Sequence, residues 1–140
     1  MVIKEERMDL FTVPQGYYLA HCISADFALG AGIAKQFVDV YNMRDKLKAA
    51  YSDDAMVGEA LLVDNVFNLV TKARAFQKPT YESLEEALID MKLQILELMI
   101  TKLAIPMIGC GLDKLDWSCV KSLIETTFED IDIEILVCYL

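Results

Sequence analysis

Leu103-Ala-Ile-Pro-Met-Ile-Gly-Cys-Gly-Leu-Asp113 decides the fold. It starts as an apolar strand over Leu103–Ile108 and breaks at Gly109 and Gly111. Trp117–Phe128 follows, with Val120, Leu123, Ile124 and Phe128 on one side at helical spacing. A strand that feeds a helix through a glycine turn is the building unit of an α/β sheet, and such sheets hold ligands beyond the carboxyl ends of their strands. The same order occurs earlier in the chain: a strand at Tyr17–Ile23, the turn Gly30-Ala31-Gly32-Ile33-Ala34, and a helix over Gly32–Tyr41.

Outward from these two units, β-branched and aromatic content marks further strands at Val2–Met8, Glu59–Asp64, Val66–Val70 and Ile131–Tyr139. A helix is expected over Met43–Tyr51, and the clearest one over Tyr81–Ile100. In the latter, Leu84, Ala87, Leu88, Met91, Ile95, Leu98 and Met99 recur every three or four residues, and Pro79-Thr80 supplies a breaker and an N-cap. That stripe reads as core. The expected fold is α/β, a mixed six-stranded sheet sandwiched between helices, in one domain spanning residues 1–140.

Composition excludes several function classes. The chain has 140 residues, is 55% hydrophobic, and carries a formal net charge of −9, which argues against a general binder of phosphate backbones. The one basic cluster, Lys72, Arg74 and Lys78, leaves room for a local nucleic-acid contact or a solvated loop. His21 is the only histidine, and Cys22, Cys110, Cys119 and Cys138 form no CxxC pair, so neither a multi-histidine metal site nor a zinc site is expected. The longest apolar run is far shorter than the ~20 residues that span a bilayer. The start, Met1-Val-Ile-Lys-Glu-Glu-Arg, lacks a signal-peptide layout. A cytoplasmic protein with no membrane partner is expected, and a domain of this size needs no second copy, so a monomer is expected.

Four groups of residues could carry chemistry. Gly30 to Ala34 could let backbone amides approach an anion at a helix N-terminus, or serve as a plain tight turn. Gly109 and Gly111 could do the same on the same rim, with Asp113 either a carboxylate at the mouth or a helix-capping residue. Lys72, following the strand Val66–Val70, sits where lost hydration makes an amine nucleophilic, or where a lysine merely reaches for solvent. Asp9, in Asp9-Leu10-Phe11, could accept a hydrogen bond from an exocyclic amine or close a turn.

Taken together, Ala20-His21-Cys22-Ile23-Ser24 with Gly30-Ala31-Gly32-Ile33-Ala34, then Thr71-Lys72-x-Arg74-x-x-x-Lys78-Pro79-Thr80-Tyr81, then Pro106-x-Ile108-Gly109-Cys110-Gly111-Leu112-Asp113-x-Leu115-x-Trp117, resemble the macrodomains. Within them the pattern is similar to the lysine-dependent branch, the terminal ADP-ribose protein glycohydrolases, and runs through nearly the whole chain. The resemblance implies ADP-ribose lying across the crest of the sheet, with Asp9 and Leu10 at the adenine and Gly30, Ala31, Gly32 and Ile33 at the diphosphate. It puts Ile108, Gly109, Cys110, Gly111, Leu112 and Asp113 around the distal ribose, and adds Cys22, Ser24, Met107 and Leu140 as contacts. It further implies that Lys72 attacks the anomeric carbon and that Asp113 resolves the covalent intermediate, with no cofactor.

Partners implied are ADP-ribose and ADP-ribosylated protein, modified at glutamate or aspartate, with O-acetyl-ADP-ribose as a small substrate. Two alternatives stay open: removal of ADP-ribose from DNA bases, as in the related antitoxin macrodomains, and binding of ADP-ribose without turnover. Two positions depart from the family, both on the adenine side. Met8 stands where a glycine is usual, and the terminal aromatic falls at Tyr139, one residue late, which in a strand turns it to the other face.

Overall fold

The computed structural model describes residues 1–52 and 55–140. Its strands are β1 (Val2–Arg7), β2 (Tyr18–Ser24), β3 (Ala60–Val63), β4 (Val66–Lys72), β5 (Lys102–Ile105) and β6 (Glu134–Tyr139), in the order β1-β6-β5-β2-β4-β3. All neighbours run parallel except β3, which pairs antiparallel with β4. The helices are α1 (Gly32–Tyr41), α2 (Met43–Tyr51), α3 (Tyr81–Leu98) and α4 (Trp117–Phe128), with a short 3-10 turn at Leu10–Thr12.

Helices cover both faces, so the middle strands are apolar on both sides. Phe67, Leu69, Leu103, Ile105, Ile135 and Val137 pack under α3 and α4. Leu19, Ile23, Val66, Val70, Ala104 and Leu136 pack under α1 and α2, against Phe37, Met43 and Leu47. The bounds of α1, α2 and α4 coincide with those read from periodicity. Thr80 caps α3 through a hydrogen bond from Ser83 N, and Ser83 Oγ reciprocates to the Thr80 amide.

Several expectations need correction. The long helix ends at Leu98, because Met99 turns into the left-handed region at φ 57° and its amide bonds back to the last turn. Leu98 and Met99 are therefore exposed and leave the core stripe that Leu84 to Ile95 maintain. Strand ends shift where pairing decides them. Lys102 and Val2 both pair with Glu134, so β6 starts there and not at Ile131. β4 runs on to Lys72, and β5 stops at Ile105, before the segment from Pro106 departs as loop.

The sole histidine is part of this framework. His21 is buried on β2, stacked on Phe37 with ring centroids 3.9 Å apart, and its Nε2 lies 2.6 Å from Asn68 Oδ1. Asn68 Nδ2 donates to the Leu61 carbonyl, so Oδ1 is the acceptor and Nε2 carries the proton. Nδ1 has no partner among the described residues. Burial pulls the imidazole pKa down to about 4, which the Asn68 hydrogen bond opposes without reversing. A neutral, enclosed histidine serves packing, not nucleophile activation.

Candidate active site

Five parallel strands end on one side of the sheet, so the loops that follow them form one crest. The Asp9 end of β1 and the Lys72 end of β4 are four strand spacings apart, about 19 Å at ~4.8 Å per spacing. A cavity of about 560 Å³ occupies the β5, β2 and β4 part of that crest. This is within the ~300–1,000 Å³ usual for small-molecule sites.

The loop after β2 forms one wall. Phe27 and Leu29 are buried with φ of 54° and 42°, a conformation that non-glycine residues adopt only when their surroundings impose it. Arg44 of α2 supplies that constraint, donating through Nε (2.9 Å) and Nη2 (2.6 Å) to the Ala28 carbonyl and through Nη2 (3.1 Å) to that of Leu29. The loop delivers Gly30 and Ala31 to the start of α1, where the N-cap residue Ala31 has no side chain that can accept from the helix amides. Thr80 and Asp116, by contrast, cap α3 and α4. The first amides of α1 thus face the cavity without a side-chain partner, an arrangement that receives a phosphate.

The loop after β5 forms the opposite wall. Gly109 holds φ 74°, a turn that favours glycine, and a β-carbon there would also lie 2.9 Å from Leu115 Cδ1, which would have to move aside. Across the cavity, a β-carbon at Gly32 would meet Leu112 Cδ1 at 3.3 Å, which shows how nearly the two glycine turns touch. Asp113 does not cap α4; Asp116 does. Asp113 turns inward instead, and its Oδ1 accepts from Lys72 Nζ at 2.7 Å, with both side chains mostly shielded from solvent. A second lysine, Lys78, donates to the Leu112 carbonyl at 2.8 Å and ties the two loops together at the rim.

This pairing has a chemical meaning. An amine in hydrogen-bond contact with a carboxylate can pass it a proton and attack, and the same carboxylate can then take a proton from water. Cys22 is a further potential nucleophile in the cavity, but burial, reinforced by the charge of Asp113, pushes its thiol up to about 12. It stays protonated and offers contact surface only.

Of the residues singled out in the sequence, Cys22, Ser24, Gly30, Ala31, Gly32, Ile33, Lys72, Met107, Ile108, Gly109, Gly111, Leu112 and Asp113 line the cavity. Asp9, Leu10, Cys110 and Leu140 do not. Leu10 is buried in the core, Leu140 is exposed, and Cys110 turns its thiol to the Ile108 carbonyl. Asp9 Oδ1 accepts from Phe11 N and starts the short 3-10 turn. It lies on the crest beyond the cavity, beside β6, whose buried Cys138 and half-exposed Tyr139 point to opposite faces. Sequence reading missed Asp26, Ala28, Leu29, Ala75 and Pro106 as wall residues or their supports.

A doubly covered mixed sheet with a phosphate-receiving helix start and a glycine loop on one crest defines a macrodomain, and solved macrodomains superpose on it closely. The macrodomain of Mycobacterium tuberculosis DarG matches with a TM-score of 0.89 and 25% identity, over 99% of this chain and 98% of that one. The macrodomain of Thermus aquaticus DarG matches at 0.87 and 26%, with the same coverage. No family model matches the sequence. A curated relative, the human ADP-ribose glycohydrolase OARD1, is 42% identical over 137 aligned residues, covering 92% of this chain and 86% of that protein. The chain belongs to the macrodomain family, close to the terminal ADP-ribose glycohydrolases.

Proposed function

We propose that this macrodomain binds ADP-ribose along its crest and hydrolyses it from modified macromolecules, above all from glutamate and aspartate esters. The observation that carries the reading is the Lys72–Asp113 pair, 2.7 Å apart in the same cavity that the uncapped start of α1 lines. A diphosphate seated on α1 leaves the ribose beyond it in a cavity that also holds the lysine. The relatedness to an ADP-ribose glycohydrolase supports the same ligand.

In this reading Lys72 passes its proton to Asp113 and its amine attacks the anomeric carbon. A C–N bond forms, the bond from that carbon to the carrier's acyl oxygen breaks, and the carboxylate leaves with the electron pair. Asp113, having shed its proton to the leaving group, takes one from water as the oxygen adds to the same carbon. The C–N bond breaks as that oxygen adds, freeing ADP-ribose and returning the amine, which takes back the proton held by Asp113. Release of ADP-ribose from a glutamate-modified protein tests the reading, with calorimetric binding of free ADP-ribose beside it. Binding without release would make the domain a reader or point to a DNA substrate, and absence of binding would remove the function altogether. Deacylation of O-acetyl-ADP-ribose is the small-substrate counterpart, since its ester sits on the same ribose.

A second reading, removal of ADP-ribose from DNA, draws on one observation. Phe76 is 84% exposed on the loop after Lys72, flanked by Arg74 and Lys78. Interleaved aromatic and basic groups stack bases and meet phosphates, and stacking contributes about 1–3 kcal/mol per base. If this loop meets a DNA strand, Phe76→Ala lowers release from a modified oligonucleotide about tenfold or more and leaves release from modified protein within about twofold. Equal effects on both substrates would count against the DNA reading.

A further inference from the structure

We propose that Asp26 is a positioning residue for Lys72. The inference rests on the hydrolase reading above. Asp26 is partly buried in the loop after β2 and supports the cavity wall without lining it. Its Oδ1 accepts from Ser24 Oγ (2.5 Å) and from the Ala28 amide (3.2 Å). Its Oδ2 reaches across to the loop after β4 and accepts from the Ala75 amide at 3.0 Å. One residue earlier in the same loop, the Ala25 amide donates to the Lys72 carbonyl at 2.9 Å.

The backbone that leads away from Lys72 is therefore gripped by two consecutive residues, one at the Lys72 carbonyl and one at the Ala75 amide. Just before these grips the pairing of β2 with β4 is already irregular. The register shifts between Ile23 and Ser24, so that Ser24 pairs with Lys72 instead of Thr71. Past the Ala25 bond no strand pairing holds this corner, and the Asp26 carboxylate ties the loop after β4 to the loop after β2. Although burial opposes ionisation, the hydrogen bonds from Ser24, Ala75 and Ala28 hold that carboxyl below the usual range, so it is an anion that keeps accepting at neutral pH. The remainder of the turn is closed locally, with Arg74 N donating to Gln77 Oε1 and Gln77 N to the Arg74 carbonyl.

The consequence is specific. The Ala28 side of Asp26 shapes the wall that leads to the diphosphate turn, while the Ala75 side aims the nucleophile. An asparagine at 26 preserves size but can present only one oxygen, so it cannot accept at both positions. The backbone that carries Lys72 then loses one of its ties and shifts the attacking nitrogen, and misplacement by an ångström costs on the order of a hundredfold in rate.

The test is Asp26→Asn, with kcat and KM for release from modified protein measured separately, ADP-ribose affinity by calorimetry, and hydrogen exchange at the Ala75 amide. Expected are a fall in kcat of about 10- to 100-fold, KM and affinity within about threefold of wild type, and loss of protection at Ala75. Asp26→Glu, which keeps both oxygens, is expected to restore part of kcat and provides a second variant should the first fold poorly. An unchanged kcat, or a rise in KM and weakened binding at unchanged kcat, would overturn the proposal while leaving the hydrolase reading standing. A wild-type protein that binds but releases nothing would overturn both.

Discussion

Lys72→Ala is expected to slow ADP-ribose release from a glutamate-modified protein by at least about a thousandfold and to leave affinity for free ADP-ribose within a few-fold. The asymmetry follows from where the amine sits. Its Nζ is committed to Asp113 and not to the helix-start amides that would receive the diphosphate, so truncation removes the attacking group and little of the ligand's contact surface. Asp113→Ala is expected to slow release by about 10²–10⁴-fold, the range for loss of a positioned acid or base. Its effect differs in kind. With the carboxylate gone, attack can still occur at elevated pH, but the step that needs a proton taken from water is slowed, so lysyl-bound ADP-ribose accumulates. Steady-state and single-turnover kinetics on the two variants separate these patterns. Equal loss of binding and turnover in Lys72→Ala would show that the lysine holds the ligand and does not attack it.

Acid should destabilise the protein in a window set by His21. Its folded-state pKa is about 4 against an ordinary value of 6.5, so the unfolded chain takes up a proton that the folded chain refuses. A depressed value contributes stability that is fully present above 6.5 and is lost as pH falls from there to about 4. At ~1.4 kcal/mol per unit, the loss over that window is about 3 kcal/mol. The carboxylates with lowered values, Asp26, Glu134 and Asp130 among them, act at lower pH, below their ordinary range of about 4. Denaturant melts between pH 7 and pH 4.5 should therefore show a steep fall in the wild type. In His21→Asn the fall should flatten, even though that variant starts less stable for want of the stacked imidazole against Phe37. A wild-type stability that does not change over this range would contradict the buried neutral histidine.

How far each feature could be read in advance depended on the range of the interaction that makes it. The helices α1 and α4 are specified locally, by glycine turns and by apolar residues three and four apart. The start of α3 was legible because Thr80 caps it within one turn. Strand ends were misplaced because a strand stops where its neighbour stops, as β6 does at the partner of Lys102. Leu98 and Met99 were misassigned because they continue an apolar rhythm past the point where the backbone turns left-handed. At the site, the two glycine loops were visible as strand-to-helix turns, whereas the contact of Lys72 with Asp113 spans 41 residues and was suggested only by family resemblance. Asp26 was invisible for the same reason. Its partner Ala75 lies 49 residues away, and an aspartate two residues after a serine reads as an ordinary turn.

The adenine contact proposed for Asp9 was legible only through the family resemblance. Asp9 lies on the crest at the far edge of the sheet, outside the cavity, with one carboxylate oxygen engaged by Phe11 N. The other oxygen can reach an exocyclic amine without disturbing that turn.

The covalent step is tested most directly by denaturing the wild-type and Asp113→Ala enzymes during turnover and mapping their peptides by mass. An ADP-ribose adduct on the peptide that contains Lys72, scarce in the wild type and abundant in Asp113→Ala, is the expected result. Continued release of ADP-ribose with no adduct on that peptide in either protein would contradict Lys72 as the nucleophile.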